Sequence, residues 1–590
     1  MTGPATPADP TTPADPTTPA PPVEPIIATP SEANREAMFP VLTAAQLARV
    51  AAHGTERRTT AGEVLVEVGD TDVPFFAVSA GELEVLRLFG GTVTRVALHG
   101  PGNFTGEVNT LAGRRSMTRL RAVQPGAVIE LGHDGLLALV QTDAELSEII
   151  MRAFILRRVE LFAQGLGDVV LVGSEHCSGT LRVREFLIRN NHPYAYIDLD
   201  RDDGVEELLD HFHVDAADVP IVICRGEVVL RNPSNRQIAE CLGFNDAIDQ
   251  GQVRDLVIVG AGPGGLAAAV YGASEGLDVL VVDATSPGGQ AAASSRIENY
   301  LGFPTGISGQ ELAARAYTQA EKFGAHVAVP RRARRLACDR RPYLVELDDG
   351  PPVPARVVII ATGAVYRRLG ADEAGRFEGA GVYYGATGME AQLCRGEEVV
   401  VVGGGNSAGQ ATVFLADTAK HVHLLVRATG LADSMSRYLV RRIEGMPNVT
   451  LHTRSEIVAL EGTNTLEGTS TTEGQTHLER VRWRDGATQA IESHDIRHVF
   501  VMTGAVPSTK WLGGCLALDE KGFVKTGAAL SAEDLAAAGW PMARAPHLLE
   551  TSLPGVFAVG DVRSGSFKRV ASAVGEGAIA VALVHQALHE

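Results

Sequence analysis

The feature that most constrains this chain is a phrase that occurs twice: an apolar strand runs into a glycine-rich turn and then a helix. The first copy is Leu256-Val257-Ile258-Val259 followed by Gly260-Ala261-Gly262-Pro263-Gly264-Gly265. The second is Val399-Val400-Val401-Val402 followed by Gly403-Gly404-Gly405-Asn406-Ser407-Ala408. In such a turn the first glycine permits the tight bend, the second lets backbone N–H groups approach a pyrophosphate, and the last small residue lets helix and strand pack closely. The helix N-terminus then favours a negative ligand. After the first copy come a helical pattern over 266–275 and a strand over 279–282. Asp283 closes that strand, where an acid can accept from ribose hydroxyls. Two such units, a domain's length apart, predict two Rossmann-like nucleotide-binding units.

The chain has 590 residues, too many for one core, and the length prior is roughly four domains. Residues 1–34 repeat a Thr-Pro-Ala-Asp-Pro phrase almost without large apolar side chains, and are expected to be a disordered tail. Over 35–165 a short helical pattern gives way to strand-like runs at 64–68, 75–78, 83–88, 93–98, 120–123 and 128–131, with glycine turns between them. One longer helical pattern follows from Leu136 to Phe162. The series predicts a β-roll or sandwich. Over 168–248 strands at 169–172, 195–199, 220–223 and 228–230 alternate with helical patterns at 181–189 and 205–212, which predicts a small α/β domain.

Lys plus Arg number 52 and Asp plus Glu 71, a formal charge of −19. Binding along DNA or RNA runs on positive charge, so no nucleic-acid partner is expected. No apolar run is expected to span a bilayer, and the start, MTGPATPADP, lacks the regions of a secretory signal. The six cysteines are Cys177, Cys224, Cys241, Cys338, Cys394 and Cys515, and no two of them form a C-x-x-C. A disulfide framework is not expected, a reducing cytoplasm is the expected compartment, and no metal site is read.

From the first glycine turn onward the chain resembles the thioredoxin reductase-like family of FAD-dependent pyridine nucleotide oxidoreductases. Pro287-Gly288-Gly289-Gln290 and Ile297-Glu298-Asn299-Tyr300-Leu301-Gly302-Phe303-Pro304 look like its flavin loop. Ala361-Thr362-Gly363 looks like the turn closing its first domain, and Gly555 to Val562 like its C-terminal FAD motif. The resemblance implies FAD held by Gly260, Gly262, Gly264, Gly265, Asp283, Gly289, Gln290, Asn299, Gly363, Gly560, Asp561 and Arg569, with Asp561 reaching the ribityl chain. It implies FAD-binding segments at 254–369 and 499–590 around an NAD(P)-binding domain at 370–498. There Gly403, Gly405, Asn406, Ser407 and Ala408 would hold NADPH or NADH. Arg427 matches one member of the family's His-Arg-Arg cluster for the 2′-phosphate, but its neighbours are Val426 and Ala428. Arg437, Arg441 and Arg442 read either as further cations or as a solvated helix face.

The family's NAD(P) domain begins with Cys-Ala-Thr-Cys, and the matching stretch here is Gly385-Ala386-Thr387-Gly388. Thiol–disulfide exchange needs a thiolate, which glycine cannot supply. Cys394 stands alone and reads as a small apolar filler. The usual dithiol relay is therefore not expected.

Residues 191–198, Asn-His-Pro-Tyr-Ala-Tyr-Ile-Asp, resemble the glutaredoxin passage from helix to strand. Setting Pro193 on its counterpart puts Cys177 at the first cysteine of C-x-x-C and Thr180 at the second. Val219-Pro220 falls where that fold holds a cis-proline. A thiol that forms mixed disulfides and a degenerate docking domain both stay open. Phe104 to Leu111, then Arg114-Arg115-Ser116, resemble the phosphate cassette of cyclic nucleotide-binding domains. The resemblance implies Glu107 at a ribose and Arg115 at a cyclic phosphate, Arg114 being the alternate cation, with Gly106 and Ser116 in the same site. A plain structural Arg–Glu pair stays open there too.

The expectation is a cytoplasmic flavoenzyme, homodimeric by resemblance. It takes hydride from NAD(P)H and passes electrons through FAD to a small-molecule or protein acceptor, with the roll as a ligand sensor. Two alternatives stand beside it. One is a redox or ligand sensor with slow or no turnover. The other is a thioredoxin-disulfide reductase that uses Cys177.

Overall fold

The computed structural model describes residues 32–89, 92–106, 108–111, 115–163, 169–174, 177–190, 192–199, 218–224, 228–244, 252–294, 296–369, 374–378, 380–386, 388–432, 435–462 and 477–590. Glu107, Arg114, Asn191, Thr387, the helical pattern at 205–212 and residues 1–31 of the expected tail lie outside these. The last residues of that tail are not irregular, because Glu32–Met38 is a helix.

The N-terminal strands form two facing antiparallel sheets. One has the order Thr55–Thr59, Gly126–Leu131, Phe75–Ala80. The other runs Val64–Val66, Arg119–Ala122, Leu83–Phe89, Thr92–His99. The alternation read from the sequence puts Phe75, Ala77, Ile129 and Leu131 into one core with Phe104, Leu111 and Phe154. The single long helix expected after the roll is two, His133–Thr142 and Ala144–Ala163. Asp143 separates them with an extended backbone, and its carboxylate accepts from the Leu146 N–H at 3.0 Å, so it caps the second helix.

The next segment forms the expected small α/β unit. Val169–Gly173 pairs in parallel with Ala195–Asp198 across the helix Ser178–Arg189. Ile221–Cys224 returns antiparallel to Val169–Gly173 and pairs with Val228–Arg231, before the helix Asn235–Leu242. The sheet order is 228–231, 221–224, 169–173, 195–198, and Val219–Pro220 is cis.

The first nucleotide unit is a mixed sheet. Arg254–Val259 lies between Val279–Val282 and Val353–Ile360, with His326–Ala328 beyond, all in parallel. The helices Pro263–Ser274, Gly309–Lys322 and Val570–Leu588 cover one face of the central strands, and Ala333–Ala337, Tyr343–Leu347 and the segment around Leu512 to Val524 cover the other, which is why these strands read as unbroken apolar runs. Val556–Ala558 joins Val353–Ile360 in parallel, so the last part of the chain completes the first sheet. The second unit is an all-parallel sheet of order Val382–Tyr383, His498–Val501, Glu398–Val402, His421–Val426, Val449–Thr453. The boundary expected at 498/499 therefore cuts through a strand. Pairing holds residues 498–501 in the second sheet, and the chain crosses back at the two-stranded ribbon Ala364–Tyr366 with Ala505–Pro507.

Two further expectations need correcting. Cys338 and Cys515 form a disulfide across 177 residues of sequence. Spacing could not reveal it, because only the folded sheet brings the segment after Ala333–Ala337 beside the one after Lys510–Leu512. The C-terminal helix Val570–Leu588 is long and apolar enough to cross a membrane by length and composition. Its run of small residues hid this, and here it packs on the helix Pro263–Ser274 through Ala573, Gly577, Ala580, Val581 and Val584. A Cβ on Gly577 would lie 2.3 Å from the Gly264 carbonyl oxygen, so that contact requires glycine.

Candidate functional site

The first glycine turn is built by three segments of chain. Gly260 sits at φ +111°, and a Cβ there would lie 2.3 Å from the Ala361 carbonyl oxygen, so turn and closing strand exclude any side chain. A Cβ on Gly265 would lie 1.9 Å from the Gly260 oxygen. Gly262 differs. A Cβ there would meet no described atom within 4 Å, so packing does not demand glycine, and the backbone here is open to close approach by a ligand. Gly262 caps the helix Pro263–Ser274, whose first N–H groups face outward at this point.

Asp283 braces the turn. Its Oδ2 accepts from the Ala261 N–H at 2.8 Å, and its Oδ1 accepts from the N–H groups of Thr285 and Ser286 at 2.8 and 3.2 Å. A carboxylate has lone pairs to spare for a ribose hydroxyl beyond these. Gly288 donates to the Ala261 oxygen at 2.7 Å, and a Cβ on Gly289 would lie 3.1 Å from the Gly262 Cα. The flavin-loop glycines thus sit against the phosphate turn. Gly560 and Asp561 arrive from the C-terminal strand, and Gly560 donates to Glu576 Oε2 at 2.6 Å. Burial raises the Asp561 carboxyl above the usual carboxylate range. The Lys568 charge opposes that shift and Glu576 adds to it. These residues fit a dinucleotide. An open glycine faces a helix N-terminus, with an acid on each side. Asn299 is exposed, and Arg569 caps the helix Val570–Leu588.

The second turn repeats the design. Gly403 sits at φ +145°, and a Cβ there would lie 2.5 Å from the Met502 oxygen. Asn406 Oδ1 accepts from the Ser436 N–H at 2.7 Å, tying the turn to the helix Arg437–Glu444. Arg427 is exposed at the end of His421–Val426. Of the downstream arginines, Arg442 pairs with Glu298 of the flavin loop at 3.1 Å, so it serves as a contact between units.

Between the flavin loop and the second turn lies a small cavity of about 30 Å³. Gln290, Ala293 and Ser294 line it from the flavin loop, Ser407 from the second turn, and Gly385 and Ala386 from the stretch after Val382–Tyr383. Tyr366 enters from the ribbon and lines the cavity together with Ser407. Burial raises its phenol's pKa, the nearby Ser407 side chain opposes that, and the Asp561 charge adds to it. Sequence reading missed Tyr366 and Glu576. Tyr366 stands three residues beyond the recognised Ala361-Thr362-Gly363 turn, a position that could have flagged it. Glu576 carries no motif signal. Cys394 is fully buried, and burial pushes its thiol up to about 11, which agrees with the filler reading.

In the small α/β unit Cys177 is partly exposed and stands at the N-cap of Ser178–Arg189. A Cβ on the next glycine, Gly179, would lie 2.7 Å from the ring of Pro220, which brings the cis-proline loop to the start of this helix. In the roll, Gly106 sits at φ +96°, and its carbonyl accepts from Arg157 at 2.8 Å. Arg157 also donates to the oxygens of Phe104 at 3.1 Å and Met38 at 2.9 Å. Ser116 Oγ donates to the Thr118 oxygen at 2.7 Å. Arg115 runs alongside Gly243 of the α/β unit, where a Cβ would lie 2.8 Å from its Cδ. The expected phosphate arginine therefore stands at a boundary between two units.

Comparison with known proteins follows this division. The family model for pyridine nucleotide-disulphide oxidoreductases matches residues 254–577, and that for cyclic nucleotide-binding domains matches 56–143. A thioredoxin reductase of Mycoplasma pneumoniae is 32% identical over 340 residues, 57% of this chain and 96% of its own length. That of Escherichia coli O157:H7 is 31% identical over 328 residues, 55% of this chain and 93% of its own. Among solved structures, Lactococcus lactis thioredoxin reductase aligns at 25% identity with a TM-score of 0.49, over 57% of this chain and 99% of that one.

Proposed function

Because this chain belongs to the pyridine nucleotide-disulphide oxidoreductase family, and is thioredoxin reductase-like within it, we propose an NAD(P)H oxidoreductase that delivers its electrons without a C-x-x-C relay. Its cofactors are FAD and NADPH, as in thioredoxin reductases. FAD supplies the two-electron chemistry when bound, and the chain supplies position and electrostatics. Gly262 and the N-terminus of Pro263–Ser274 would hold a pyrophosphate, Asp283 a ribose, and Asp561 the polar chain between. Gly403, Gly405 and the N-terminus of Asn406–Ala416 would hold the second dinucleotide, with Arg427 at its 2′-phosphate.

One observation carries the reading. The residues between the flavin loop and the second turn are Gly385 and Ala386, in a chain with no C-x-x-C. The expected result is bleaching of the flavin band by NADPH under nitrogen, and steady turnover with quinone or ferricyanide without thioredoxin. A yellow protein that NADPH and NADH both fail to bleach would refute it and favour the sensor alternative. A Cβ at Gly385 would touch Ala293 Cβ at 3.6 Å, an ordinary contact, so Gly385→Cys with Gly388→Cys is expected to create disulfide reductase activity.

A second reading, a thioredoxin-disulfide reductase, has support of its own. The thioredoxin reductases above align with most of their own length. The strand order over 169–231 and the partly exposed Cys177 at the N-cap of Ser178–Arg189 also support a thioredoxin-like thiol domain. If it holds, Cys177→Ser abolishes reduction of a protein disulfide while flavin bleaching persists.

For the N-terminal module, the family match and the Gly106 turn support a 3′,5′-cyclic nucleotide as ligand.

A further inference from the structure

Resting on that ligand reading, we propose that the helix Gly309–Lys322 is the mechanical link through which a cyclic nucleotide on the roll sets the geometry of the flavin loop. This helix has 14 residues, about 21 Å at 1.5 Å per residue; one end meets the flavin loop and the other meets the roll.

Its N-terminal end is locked to the flavin loop. Gly309 donates its N–H to the Ser294 oxygen at 2.9 Å, and a Cβ on Gly309 would lie 1.8 Å from the Ala291 oxygen. A Cβ on Gly288 would lie 2.4 Å from Ala313 Cβ. Helix and loop touch directly at these points, beside a cavity of about 490 Å³ that both line, and the same loop supplies Gln290, Ala293 and Ser294 to the smaller cavity.

The C-terminal end is held by the roll. The cassette helix Val108–Leu111 packs against Gly309–Lys322, as does His133–Thr142. Gln141 donates its side-chain N–H to the Lys322 oxygen at 3.3 Å, and Leu137 lies 3.9 Å from where a Cβ on Gly324 would be. Thr318 and Glu321 are buried along the helix.

The cassette is also braced from within. Leu111 is buried in the roll core with Phe104 and Phe154, and Arg157 holds the carbonyls at the cassette entrance. A ligand that binds one cassette position better than another shifts that equilibrium by its differential affinity. Close-packed contacts then pass the displacement along a rigid helix to a loop that must follow.

The test uses the flavin-loaded full chain with cAMP and cGMP. Calorimetry reads binding, visible circular dichroism of the flavin reads the loop, and stopped-flow bleaching by NADPH reads the consequence. The expected result is a nucleotide-dependent change in the flavin dichroism and a change in bleaching rate of about fivefold or more, within the usual range of allosteric coupling. The double variant Leu137→Ala with Gln141→Ala should bind nucleotide unchanged and lose the flavin response. Gln141→Ala alone provides a milder version should the double variant fold poorly. Nucleotide that binds the wild type without moving the flavin signals overturns the link and leaves the ligand reading standing. A full response retained in the variants also overturns the link. If neither nucleotide binds, the ligand reading fails, and the variants then decide alone: an unchanged flavin dichroism overturns the mechanical link, and a shifted one upholds it.

Discussion

The two glycine turns of this protein are built alike and finished differently. Each opens on a glycine at positive φ, 111° at Gly260 and 145° at Gly403, and each presses on the carbonyl of the strand returning to its sheet, Ala361 or Met502. They part at the end of the following strand. The first ends in Asp283, which braces its turn through three backbone N–H groups. The second ends in Arg427, which stays exposed. On the proposed reading the backbone of the turn would hold a pyrophosphate, and one side chain beyond it would choose between a hydroxylated and a phosphorylated ribose.

The comparison breaks most sharply at its glycines. Gly260→Val forces a side chain onto the Ala361 oxygen, and the protein is expected to purify colourless, with FAD affinity down more than about 100-fold by titration. Gly403→Val should leave the protein yellow yet slow bleaching by NADPH by more than about 100-fold. If either variant shows the other's phenotype, the assignment of the two turns is reversed.

Acid should separate the units next. Burial, with the neighbouring His421 and His452, lowers the His423 imidazole to about 4. His452 and His498 are lowered chiefly by burial as well. The unfolded chain then binds more protons than the folded one. Stability from His423 is complete above about 6.5 and is lost as pH falls from there toward 4, by at most about 3 kcal/mol. Denaturant titrations followed by tryptophan fluorescence should show the second unit, where Trp483 stacks on His494, loosening first. His423→Gln should flatten that slope.

A smaller effect is expected at the strand ends. Arg427→Ala should raise the KM for NADPH about tenfold, about 1.4 kcal/mol, and leave NADH unchanged. Equal shifts for both nucleotides would show that the cation does not read the phosphate. The smallest effect sharpens the likeness. Gly265 admits no Cβ, whereas its counterpart is Ala408, so Ala408→Gly should cost only about 1 kcal/mol by thermal unfolding.

Much of the first site was legible before any coordinates. Gly260, Gly262, Gly265, Asp283, Gly289 and Asp561 all converge, because glycine turns and strand-end acids act through local backbone geometry. Tyr366 and Glu576 were not legible. Each is an ordinary residue whose surroundings, the cavity shared with Ser407 or the Gly560 N–H, come from another part of the chain. Asp143 shows the same limit in the roll: the apolar pattern ran on through it, while its extended backbone ended one helix and its side chain capped another. Arg442, read as a spare cation or a solvated face, is held by Glu298 of the other unit.

Periodicity and turn chemistry alone determined the roll, the small α/β unit and two phosphate turns, because strand alternation, apolar runs and glycine conformation are properties of neighbouring residues. Tertiary structure decided what those properties cannot contain: the pairing of Cys338 with Cys515, the strand that carries residues 498–501 past the expected boundary, and one helix that touches both the cassette and the flavin loop. Each joins segments far apart in sequence, and only the closing of the sheets and the packing of their helices brings such segments into contact.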